Sequence, residues 1–188
     1  MALKPKIHNP SGKVENKETR KPKPVIKDEP VIPPKPIINI PSKAVGWLIV
    51  HTEKLKSRSF EIYANKEMTV GRKEEGYNPD IAINFEGNTD NYFSRKHMEI
   101  FADYNTKTGT CSFYVTDTGT TGKGSTNGTY INGDSKRLPP NTRVEIYDGT
   151  TIQAGRTKLV LKTAKTVKTE LEATQIVAQS PYTKTIIE

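Results

Sequence analysis

With 188 residues, a net charge of +8, 27% charged and 33% hydrophobic residues, the chain has room for one domain of ordinary size and is too polar to be packed throughout. Its single cysteine, Cys111, excludes an intrachain disulfide and a cysteine-rich zinc site, and reads as a small buried hydrophobe in an apolar stretch. The opening Met1-Ala2-Leu3-Lys4 lacks the apolar core of a signal peptide, and no apolar run approaches the ~20 residues of a membrane span. The expectation is a cytoplasmic protein with no membrane contact.

Residues 1–43 hold nine of the 13 prolines and read as a disordered Lys/Pro-rich arm, because proline fixes φ and removes a backbone donor. Within it, Val31-Ile32-Pro33-Pro34-Lys35-Pro36-Ile37-Ile38 has polyproline character and serves as a spacer or as a docking segment for an aromatic groove. The texture changes in the next segment, 44–164. Short β-branched and aromatic runs alternate there with Gly, Asn and Asp clusters. Strands are expected at Trp47–His51, Ser59–Tyr63, Met68–Gly71, Ile81–Asn84 and His97–Ala102. Five more follow at Ser112–Thr116, Thr129–Ile131, Thr142–Ile146, Thr151–Ala154 and Lys158–Lys162. Between 45 and 162 no window sustains an apolar helical period. The pattern predicts an all-β sandwich or barrel of about ten to eleven short strands. Residues 165–188 turn polar and Thr-rich. They are expected as a flexible tail in which Leu171, Ile176 and Val177 make at most one weak helical turn.

The positive charge is not spread evenly. Residues 1–43 carry 10 Lys/Arg against 4 Asp/Glu, whereas 44–164 carry 16 against 14. A folded reader of nucleic acid carries its charge on the fold, so specific nucleic-acid binding is not expected. The arm retains the capacity for non-specific contact with anionic surfaces.

Three loop motifs carry chemistry. Gly71-Arg72 closes a strand, and Ser94-Arg95-Lys96-His97 opens one. Ser125-Thr126-Asn127-Gly128-Thr129 follows Asp117-Thr118-Gly119. An arginine offers a planar fork of donors that matches phosphate oxygens at any working pH. Hydroxyls at Ser94 and Thr126 add donors, and an asparagine binds a peptide backbone as donor and acceptor. Such a cluster on loops over a rigid sandwich suits capture of an acidic or phosphorylated motif.

In this order and spacing the motifs resemble the forkhead-associated (FHA) domain family, over roughly Trp47 to Lys162. The resemblance implies an FHA-type sandwich and a non-enzymatic module that needs no cofactor or metal and binds phosphothreonine in a protein or peptide, as an adaptor in Ser/Thr kinase signalling. Arg72 and Ser94 then correspond to the principal phosphate ligands, with Arg95 in support. Thr126 lines the phosphate and methyl pocket, and Asn127 holds the ligand backbone just past the phosphothreonine. Gly71, His97 and Gly128 support the site structurally. A Ser/Thr kinase or its substrates are the implied partners. The resemblance also points to the chain's own tail, where Thr174 and Thr183 are candidate phosphorylation sites, each with an aliphatic residue three places on.

The sequence departs from the family pattern at Thr120-Thr121-Gly122-Lys123-Gly124, an insert that either lengthens the loop or adds a cationic contact. The alternative function is a structural FHA-like scaffold making phospho-independent contacts. A nucleotide-binding reading of Gly119–Thr126 fails, because the glycine spacing is wrong and a strand, not a helix, follows. Asn127-Gly128-Thr129 matches a glycosylation acceptor, but no secretory signal accompanies it. Catalysis finds no support, since Ser94 and His97 have no evident orienting acid.

Overall fold

Alternation decides which side chains of each strand meet the core, and the central strands of a computed structural model show it directly. That structure describes residues 39–52, 55–84 and 90–179. Strands β1 (Gly46–Thr52), β2 (Leu55–Ile62), β3 (Glu67–Gly71), β4 (Ile81–Ala82) and β5 (Met98–Asn105) come first. They are followed by β6 (Thr110–Asp117), β7 (Thr129–Ile131), β8 (Val144–Ile146), β9 (Thr151–Ala154) and β10 (Thr157–Thr163). The ten expected strands are all present. They form two five-stranded sheets, ordered β2-β1-β10-β9-β7 and β4-β3-β5-β6-β8. In the second sheet Ile100 sits opposite Val115 and Ala102 opposite Phe113, all buried on the inner face. In the first sheet Leu48, Val50, Leu159 and Leu161 meet them from the other side. The two inner faces make one core, as period-2 side chains require.

The residues after 165 depart from the expectation of at most one helical turn. Helix α1 spans Glu170–Gln179 and packs on the outer face of β1 and β2. Two local signals start it. The Thr169 hydroxyl accepts the Glu172 N–H at 3.2 Å, and the Glu172 carboxylate accepts the Lys168 N–H at 2.8 Å, a reciprocal cap close to a capping box. Glu170 and Glu172 also place negative charge at the positive end of the helix dipole. Ala173 and Val177, four residues apart on one face, pack with Trp47, Ile49, Val160 and Val167 in a second apolar cluster. Leu171, one of the residues expected to drive the turn, is exposed instead. Thr174 lies mid-helix and donates its hydroxyl proton to the Glu170 carbonyl at 2.9 Å. Thr183 and the arm up to residue 38 lie outside the described residues. Cys111 is half-buried beside the core, and burial raises its thiol pKa.

Register gathers the functional loops. The end of β3 pairs with the start of β5 (Val70 opposite Met98), and the start of β5 with the end of β6 (Met98 opposite Asp117). The start of β7 pairs with the end of β9, which turns directly into β10. The segments 72–80, 90–97, 118–128 and 155–156 therefore collect at one end of the sandwich.

Candidate functional site

The first loop is set by a glycine. A Cβ on Gly71 would lie 1.7 Å from the Arg95 carbonyl oxygen, so only glycine lets the two backbones cross there. The crossing extends the ladder beyond the strands: His97 N–H donates to Val70 O at 3.0 Å, and Arg72 N–H to Ser94 O at 3.0 Å. Arg72 and Ser94 are thus backbone partners. The Arg72 side chain, 25% exposed, donates from one terminal nitrogen to Asn91 Oδ1 at 3.2 Å and from the other to the Glu74 carboxylate. Its Nε is enclosed and has no hydrogen-bond partner. Arg95, 53% exposed, has its Nε 3.7 Å from the second Glu74 oxygen. One carboxylate therefore bridges the two arginines.

His97 ties this loop to the next. Its ring is fully buried. Nδ1 accepts the Ser94 N–H at 3.0 Å, so the proton sits on Nε2, which donates to the Gly128 carbonyl at 3.1 Å. Burial pushes the imidazole pKa down from its ordinary value, and the neutral ring fits both bonds. The Thr126 N–H approaches Ser94 Oγ at 3.4 Å, and the Asn127 amide donates to the Tyr92 carbonyl at 2.7 Å. Arg72, Ser94, Arg95, Thr126 and Asn127 thus all belong to one linked loop end, with Gly71, His97 and Gly128 in its frame. Ser94 is half-buried, while Thr126 and Asn127 are exposed.

Several residues that hold this end together carry no motif. Asp117, 0% exposed, accepts the Ser125 N–H at 2.5 Å and takes Arg137 in a fork at 3.1 and 3.2 Å. Arg137 also donates to the Ser125 carbonyl at 2.6 Å, and its stem lies against Gly128, where a Cβ would come within 2.9 Å. Gly128 has φ +78°, so backbone and space both require glycine there. Asp90, also buried, accepts the Tyr92 N–H at 2.9 Å, and the Arg156 N–H and Thr157 hydroxyl at 2.8 Å each. Only the acid-before-loop position of Asp117 left a local trace in the sequence. Glu74, Asp90 and Arg137 stand in none of the sequence motifs.

The inserted stretch 120–124 is closed at its neck. Gly124 N–H donates to Thr118 O at 3.0 Å and Gly119 N–H to His97 O at 3.2 Å. The Asn141 side chain holds the Gly122 carbonyl at 2.5 Å. The Lys123 side chain is left exposed. No group of acidic, His or Cys side chains among the described residues is arranged to hold a metal ion. No described helix is long and apolar enough to cross a membrane.

Two stacked sheets, antiparallel except for the parallel β3–β4 pair, carry arginine, hydroxyl and amide side chains on loops gathered at one end. Residues 68–155 match the family model of the FHA domain, and the two-sheet sandwich is of the FHA type. Among solved structures, the chain is similar to the MEK1 FHA domain, with 21% identity and a TM-score of 0.50, over 64% of this chain and 90% of that one. The MEK1 FHA domain in complex with the HOP1 pThr318 peptide aligns at 22% identity and a TM-score of 0.49, covering 64% and 97% of the two chains. The FHA domain of the CT664 protein from Chlamydia trachomatis aligns at 18% identity and a TM-score of 0.48, covering 63% and 97%. No curated protein matches at a significant level.

Proposed function

We propose that this chain is a phosphothreonine-dependent interaction module, an adaptor in Ser/Thr kinase signalling whose partner is a phosphorylated kinase or kinase substrate. The observation that carries the reading is the pairing of Arg72 and Arg95 through one carboxylate, with Ser94 bonded to the Arg72 backbone. Two guanidinium groups already converge on an anion, and a phosphate offers more oxygens and more charge than Glu74 does. Thr126 and Asn127 flank that point on a loop tied to Ser94 through His97. They are in place to line the phosphothreonine and to hold the peptide backbone beyond it.

The chain's own tail is a more demanding ligand. Thr174 sits inside α1, where backbone groups are spent on helical bonds and the hydroxyl is bonded to Glu170. A phosphorylated Thr174 therefore reaches this site only after the helix unwinds and uncovers Trp47.

The reading is tested by calorimetric titration with a phosphothreonine peptide and its unphosphorylated twin. Charge-assisted hydrogen bonds are worth roughly 1.5–3 kcal/mol each, so Arg72→Ala should weaken phosphopeptide binding by at least about tenfold. A buried threonine methyl, worth about 0.8 kcal/mol, should favour phosphothreonine over phosphoserine by roughly fourfold. Equal binding of the phosphorylated and unphosphorylated peptides would overturn the proposal.

A further inference from the structure

One cation at this end of the sandwich has no place in the reading above. Arg156 lies in the two-residue turn Gly155–Arg156 that joins β9 to β10. The turn is pressed onto the segment 90–93. Gly155 has φ +58°, and a Cβ on it would stand 2.8 Å from the Tyr92 carbonyl carbon and 3.0 Å from the Phe93 nitrogen. Buried Asp90 then fastens both segments, accepting the N–H of Tyr92 and the N–H of Arg156 with its two oxygens. The two backbones are fixed to each other beneath the surface.

Above that anchor the side chains stack. The Arg156 guanidinium lies 4.3 Å from the centre of the Tyr92 ring and donates to the Tyr92 hydroxyl at 3.1 Å. Tyr92 itself is 47% exposed, and Arg156 is exposed. No carboxylate among the described residues pairs with Arg156, in contrast to Arg72 and Arg95, which share Glu74. A guanidinium held over an aromatic ring, with one terminal nitrogen bonded to the hydroxyl, keeps its remaining N–H groups available, and it has lost rotamer freedom before any ligand arrives. The platform also adjoins the peptide path, because the Tyr92 carbonyl is the acceptor for the Asn127 amide.

We propose that Arg156, stacked on Tyr92, is a specificity-determining residue that selects an acidic side chain in the bound peptide, at a position reached after the backbone passes Asn127. This inference rests on the phosphopeptide reading above. The chemistry is a two-point contact between a guanidinium fork and an Asp or Glu carboxylate.

The test uses the full chain and phosphothreonine peptides in which each of the five positions after the phosphothreonine is in turn Asp, Ala or Lys. At one position the wild type should favour Asp over Ala by about three- to tenfold and disfavour Lys. The preference should narrow as salt is raised, as expected for a contact at the rim. Arg156→Gln should bring the Asp-to-Ala ratio to about one, and Arg156→Glu should reverse it in favour of Lys. Arg156→Gln keeps the backbone N–H that binds Asp90, so it serves if the charge reversal fails to fold. Absence of an acidic preference at every position, or its survival in Arg156→Gln, would overturn the inference while leaving phosphate-dependent binding standing. Equal binding of phosphorylated and unphosphorylated peptides by the wild type would overturn both.

Discussion

Glu74 occupies the place where a phosphate is expected, and Glu74→Gln separates two roles it plays. Its carboxylate holds Arg72 through one oxygen and lies 3.7 Å from Arg95 through the other. As an organiser it fixes both arginines before binding. As a competitor it must give up those contacts and then stand beside a dianion. Its side chain is 39% exposed, so each ion pair is worth only about 0.2–1 kcal/mol, and the loss of organisation is small. Repulsion is larger. A single negative charge about 6 Å from a phosphate of charge near −2 costs roughly 1.4 kcal/mol even at the dielectric constant of water. The competitor role wins on these magnitudes. Glu74→Gln should tighten phosphopeptide binding by about five- to tenfold at low salt, and the gain should shrink above about 0.5 M NaCl as screening shortens. Calorimetry at two salt concentrations measures both effects. Weaker binding by Glu74→Gln would refute the reasoning and make Glu74 an organiser of the arginines.

Three further outcomes are expected. Arg137→Ala leaves the buried Asp117 carboxylate without its fork and the Ser125 carbonyl without a donor, so it should cost about 3 kcal/mol by chemical denaturation. His97 has a folded pKa below its ordinary value of about 6.5 because it is buried. The unfolded chain then binds the extra proton first, so this contribution is complete above about pH 6.5 and is lost as pH falls from there toward the folded pKa. The melting temperature of the peptide-free chain should fall from pH 7.5 to 5.5, and less so in His97→Gln. Val177→Asp should detach α1 and expose Trp47, the only tryptophan, to water. A red shift of its fluorescence emission reports this, and an unshifted spectrum would mean that the helix contributes no cover.

The strands were legible because alternation and Gly/Asn/Asp punctuation are local signals. β7 and β9 keep the expected limits, and β2 begins earlier than expected, at Leu55 in place of Ser59. The helix was not legible, for a reason also visible in the sequence. Trp47-Leu48-Ile49-Val50 and Leu159-Val160-Leu161 are apolar at successive positions, so both faces of β1 and β10 need cover. Strand alternation alone accounts for one face of β1 and β10 and leaves Val160 and Ile49 without a partner. With Ile49 and Val160 facing outward, a polar segment bearing Thr169-x-x-Glu172 and Ala173…Val177 supplies what the strands lack.

The site divides along the same line. Residues proposed to meet a ligand stand in short motifs, because a loop must present them together, and Gly71-Arg72, Ser94 and Thr126-Asn127 are such motifs. Residues that hold those loops answer to partners far along the chain. Arg137 follows Asp134-Ser135-Lys136, a stretch with every mark of a solvated turn, yet it reaches beneath residues 124–128 to Asp117. Asp90 joins loops more than sixty residues apart in sequence. Nothing local distinguishes such an acid from a surface one. What distinguishes it is the count of donors that would be stranded without it: the N–H groups of Tyr92 and Arg156 and the Thr157 hydroxyl all converge on one carboxylate. Removing that carboxylate would strand three donors at once, the buried Thr157 hydroxyl among them, so the geometry of this loop end depends on Asp90 as closely as on the arginines at its surface.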